Sequence, residues 1–85
     1  MLNEPGSANS VDTTKRLRLC IGENIRQARS RQGTSLADLG DALGIEEALI
    51  ANYEAGLVKI CPTMLCRIAV TLDTTLGSLF GMSGS

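Results

Sequence analysis

Residues 34–56, TSLADLGDALGIEEALIANYEAG, constrain the fold more than any other part of the chain. Leu36, Leu39 and Leu43 recur at i, i+3 and i+7, which makes one apolar stripe on a short helix. Ser35 stands at the N-cap position, with Asp38 three residues on, where a reciprocal cap more often has Glu. Gly44 follows the stripe and supplies a tight turn, from which a second helix, about Glu46 to Ala55, leaves at a large angle. Ile50 and Tyr53 form its inner face, and Gly56 stops it. The acids Glu46 and Glu47 at its start are favoured by the helix dipole, by about 0.3–1 kcal/mol.

The flanks supply three more helices. Residues 1–13 are polar, rich in Gly, Ser and Asn, and contain Pro5, so they are expected to form a disordered tail. A helix begins at Thr14, with Leu17, Ile21, Ile25 and Ala28 as its apolar stripe, and ends at Gly33. Pro62 opens a fourth helix whose buried stripe is Leu65, Ile68, Ala69 and Leu72. Asp73 or Thr74 caps a short fifth helix, with Leu76, Leu79 and Phe80 facing inward, and residues 82–85 fray. With no strand pattern and 44% apolar residues, the expectation is an all-α, compact five-helix domain over 14–81 around one small core.

Composition removes several functions. Tyr53 and Phe80 are the only aromatic residues, which argues against base-stacking platforms for single strands. No apolar run approaches the roughly 20 residues of a membrane span. The first fourteen residues lack the basic and apolar regions of a signal peptide, so a cytoplasmic location is expected. Cys20, Cys61 and Cys66 have no C-x-x-C spacing and the chain has no His, so a zinc site would need a carboxylate as its fourth ligand, and no cofactor is expected. The same absence leaves no nucleophile–base pair, and the chain reads as a non-enzyme.

Charge is segregated. Residues 15–33 hold six cations (Lys15, Arg16, Arg18, Arg26, Arg29 and Arg31) against Glu23. Residues 34–56 hold five carboxylates, Asp38, Asp41, Glu46, Glu47 and Glu54, and no cation at all.

The run from Ile21 to Gly56, followed by PTMLCRIAVTLDTTLGSLFG, resembles the Cro/C1-type (XRE-like) helix-turn-helix family. The resemblance covers about residues 21–81 and rests on I-x-x-x-R in helix one, S-x-x-x-L in helix two, the turn at Gly44, and I-x-x-Y-E-x-G in helix three. It implies the family's fold and a structural ion pair between Arg29 and Glu54, with room for a bidentate contact. It also implies that bases would be read near the start of helix three, at positions held here by Glu47, Ala48, Leu49 and Asn52. Family members commonly open helix two with Gln, where this chain has Leu36, and carry phosphate contacts after Gly56, where this chain offers only Lys59.

Those substitutions set the fold signal against the charge signal. Phosphate neutralisation supplies most non-specific DNA affinity, and an acidic helix pair works against it. Asn52 can read adenine and a Glu can accept from cytosine, but neither has a cation beside it. The basic first helix is the counterweight, able to reach backbone phosphate from the side. The leading expectation is therefore a protein-binding surface with an apolar centre at Leu36, Leu49 and Leu57, rimmed by Asp38, Glu46 and Glu47 with Asn52 beside them. On the free protein Leu49 is expected to be largely exposed. The chain also looks like the short antiactivators of quorum-sensing circuits, a resemblance of size, fold and missing DNA chemistry. That resemblance implies a transcriptional activator, LuxR-type or similar, as the partner, with DNA binding weak. The alternative is a sequence-specific DNA-binding repressor of the Cro/C1 type.

Overall fold

The computed structural model describes the backbone of residues 3–81 and the side chains of residues 14–81. Five helices follow in order: α1 Asn3–Arg31, α2 Leu36–Leu43, α3 Glu47–Glu54, α4 Pro62–Thr71 and α5 Leu76–Phe80. The described residues contain no strand. The helix expected to begin at Thr14 is helical from Asn3 onward. The expectation of disorder over 1–13 concerns residues whose side chains lie outside those described, and the frayed end at 82–85 lies outside them too.

Each short helix starts and stops for a reason readable in its neighbours. Ser35 caps α2, its hydroxyl accepting from the Asp38 N–H at 3.0 Å. Gly44 ends that helix in the left-handed region at φ 73°, which lets the Ile45 N–H reach back to Gly40 O at 3.0 Å. Pro62 occupies the first turn of α4, where its missing N–H costs nothing. The cap of α5 departs from expectation: Thr75, not Asp73 or Thr74, accepts from the Ser78 N–H at 3.0 Å. Asp73 instead terminates α4 at φ 55°, doing there what glycine does elsewhere, with Thr74 N–H donating to Ala69 O at 2.9 Å. Asp tolerates that conformation better than most side chains do.

The core draws on every helix. Ile21, Ile25 and Ala28 from α1 meet Leu39 and Leu43 from α2, Ile50 and Tyr53 from α3, Leu65, Ile68, Ala69 and Leu72 from α4, and Leu79 from α5. Three residues expected to face inward do so only in part. Leu17 is 45% exposed, Leu76 38% and Phe80 37%. They sit together on the rim of the bundle, one turn before Ile21 in α1 and beside the short α5.

Close approach of backbones fixes the arrangement of α1, α2 and α3. Gly22 is buried at the α1–α3 crossing, where a side-chain carbon would lie 2.5 Å from Tyr53 O and press on Glu54 O. Gly40 serves the same end on α2, where a side-chain carbon would come within 2.7 Å of Ile45 O.

Candidate functional site

The α2–α3 unit presents its charge outward. Asp38, Asp41, Glu46 and Glu47 are all exposed, and residues 34–56 bring no cation to that surface. The fifth acid is different. Glu54 is nearly buried, with 8% of its side chain accessible, and binds Arg29, itself at 16%. The guanidinium is bidentate, Nε to Oε2 at 2.7 Å and Nη2 to Oε1 at 3.0 Å, and its Nη1 donates to Thr34 O at 3.0 Å. One side chain thereby ties α1 to the end of α3 and to the entry of α2. Hydrogen bonding to Glu54 raises the Arg29 pKa above its ordinary value, against the opposing effect of burial.

The α3 positions available to a partner are poor in chemistry. Glu47, Ala48, Ala51, Asn52 and Ala55 are exposed. An alanine methyl can touch a thymine methyl but neither donates nor accepts, so Asn52 is the exposed side chain there with an amide to offer a base. Leu57 follows α3 and is 71% exposed. Leu49 does not match the expectation of a largely exposed residue: it is half-buried and packs against the core. The reason is helical geometry, since Leu49 precedes buried Tyr53 by one turn and shares its face. Leu36 is half-buried for the corresponding reason, heading the Leu39–Leu43 stripe. The apolar centre at Leu36 and Leu49 is thus smaller than the sequence suggests, and the acidic character of the surface greater.

The cations of α1 are largely committed within the protein. Arg18 Nε donates to Gly56 O at 3.3 Å. Arg26 pairs with Glu23 at 2.6 Å on the exposed side of the helix, and that hydrogen bond, with a second from Gln27, holds the Glu23 carboxyl below the usual carboxylate range. With Arg29 engaged by Glu54, Arg18, Arg26 and Arg29 each have an acceptor within the protein. Two further ties were not legible in the sequence. Arg67 Nη2 donates to Leu43 O at 2.9 Å, capping the C-terminus of α2 from α4, and Asn24 Nδ2 donates to Leu79 O at 2.9 Å, holding α5 to α1. Only the spatial neighbourhood reveals such partners, because nothing in the local pattern marks which carbonyl a distant side chain will meet.

Two short helices about a glycine turn, braced by α1 and closed by α4 and α5, are the architecture of the helix-turn-helix class. A family model described as a helix-turn-helix domain matches residues 21–79, and the chain belongs to that family. Over 53 residues it is 40% identical to a Methanospirillum hungatei protein provisionally named an HTH-type transcriptional regulatory protein, a match covering 62% of this chain and 17% of that one. Among solved structures, the crystal structure of apo-HppE superposes with a TM-score of 0.71 at 28% identity, over 74% of this chain and 35% of that one. The chain therefore spans well under half the length of both similar proteins. No helix among the described residues is long and apolar enough to cross a membrane.

Proposed function

We propose that this helix-turn-helix domain regulates transcription by binding a protein, a transcriptional activator, rather than by reading an operator. One observation carries the reading: the outward surface of α2 and α3 displays four carboxylates and no cation. A duplex meeting that surface loses the counterion-release term that supplies non-specific affinity and gains carboxylate–phosphate repulsion. The pairing of Arg26 with Glu23 and of Arg29 with Glu54 supports the same reading, because each carboxylate offsets a charge that α1 could otherwise offer to phosphate. The resemblance to short antiactivators supplies the partner class, an activator of LuxR type or similar, which the domain would hold in an inactive complex. Glu46, Glu47 and Asn52 stand exposed for that contact, and Leu57 adds apolar surface.

The second reading, a sequence-specific repressor, draws on exposed Asn52 and on the regulator name carried by the Methanospirillum relative. A titration on duplex DNA at low and moderate salt, beside a pull-down with candidate activators, separates the two. The protein-binding reading expects duplex affinity no tighter than roughly 10⁻⁴–10⁻⁶ M at physiological salt. A nanomolar complex with a footprint over a palindromic site refutes it and establishes the repressor.

A further inference from the structure

An apolar groove of about 260 Å³ lies between the upstream part of α1, the 57–61 connection and α5. Leu17, Ile60, Leu76 and Phe80 line it, and Arg18 and Lys59 stand in its wall. No lining residue comes from 34–56, so the groove is separate from the acidic helix pair. Three of its apolar walls, Leu17, Leu76 and Phe80, are the same residues that the core leaves more than a third exposed.

The geometry points to a docking site for an amphipathic helix of a partner protein, one that presents two apolar side chains flanked by carboxylates. Volume sets the first half of that description. A cavity of about 150 Å³ accepts one benzene, so this groove accepts about two side chains of leucine or phenylalanine size, as a helix offers from successive turns. Charge sets the second half. The groove's ionisable lining residues are Arg18 and Lys59, both cationic, and carboxylates beside the docked apolar residues are the complement.

A second copy of this chain does not meet both conditions at once. A two-fold contact through the groove sets Arg18 and Lys59 against their own counterparts. A head-to-tail contact could bring the acidic α2–α3 surface to the groove, but that surface offers a single large exposed hydrophobic residue, Leu57, where the groove takes two.

The inference rests on the protein-binding reading, since it names a second contact surface for the same kind of partner. Its test uses two designed helical peptides of about 16 residues, with leucines at i, i+3 and i+7 and either Glu or Lys elsewhere. Each is titrated into the isotope-labelled full chain and followed by amide NMR shifts. The acidic peptide is expected to shift the amides of Leu17, Ile60, Leu76 and Phe80 and to bind at least about tenfold tighter than the basic one. Lys59→Glu, at an exposed position, is expected to abolish that preference with the rest of the spectrum unchanged. Equal affinities, shifts confined to α2–α3, no binding at millimolar peptide, or concentration-dependent self-association through the groove each overturn the proposal. Failure of the peptides to bind leaves weak DNA affinity untouched, whereas a tight operator complex removes the protein-binding reading without bearing on the groove titration, so the two failures are distinguishable.

Discussion

Gly22→Ala tests the most closely packed contact in the fold, and its sign is the informative quantity. In an unhindered helix the substitution stabilises, because alanine exceeds glycine in helix propensity by about 0.8–1.0 kcal/mol. At position 22 the added carbon would stand 2.5 Å from Tyr53 O and press on Glu54 O as well. Both obstacles are backbone atoms at the end of α3, held by the helix's own hydrogen bonds, so no side chain can rotate out of the way. Overpacking of this kind costs about 1–3 kcal/mol, sometimes more. Moving α3 aside to relieve it also stretches the Arg29–Glu54 contact, since Glu54 is one of the residues struck. The two effects leave a net loss of up to about 2 kcal/mol. For a domain of this size each kcal/mol shifts the melting temperature by about 4–8 °C, so the expected fall is up to about 15 °C. Thermal unfolding followed by far-ultraviolet circular dichroism measures it, with Gly33→Ala as a contrast whose cost is backbone conformation, which Gly22 in its helix does not incur. Gly33 has φ +66° and open space around it, so its replacement reports the left-handed penalty without a clash. A melting temperature for Gly22→Ala above that of the parent chain would refute the close α1–α3 crossing.

Two further substitutions bear on the ion pair and on the α3 surface. In a double-mutant cycle of Arg29→Met and Glu54→Gln, each single change is expected to cost about 3 kcal/mol, because it strands a largely buried charge, and the double mutant should recover part of that loss. Coupling near zero in urea unfolding would mean that water already screens the pair. Leu49→Lys is expected to lower stability by about 1–2 kcal/mol, reflecting its half-buried place beside Tyr53, while Ile50→Lys, at a fully buried position, is expected to prevent folding. Equal damage from the two would place Leu49 wholly in the core and remove it from any partner surface.

The sequence by itself determined the helices and the stripes that bury them. Leucine spacing in 36–43, the Ser35 cap, the Gly44 turn and Pro62 at the start of α4 are local signals, and local hydrogen bonds and periodicity are enough to produce what they specify. The segregation of charge, an acidic 34–56 after a basic 15–33, is likewise a property of the chain. What lay beyond it were the consequences of helices meeting. Leu17, Leu76 and Phe80 carry the same periodic signal as buried Ile21 and Leu79, and only their place at the rim of the bundle, beside the short α5, leaves them lining a groove. Asp73 looks like a cap for α5 until the chain shows it ending α4 with positive φ, while Thr75 does the capping. The roles of Arg18, Arg67 and Asn24 depend on carbonyls that are 38, 24 and 55 residues away, and no periodicity encodes a partner at that distance. Tertiary packing decided which cations remain for a partner, because a guanidinium held bidentately by a carboxylate, as Arg29 is by Glu54, has its charge offset, whereas one that donates to a neutral carbonyl, as Arg18 and Arg67 do, keeps it.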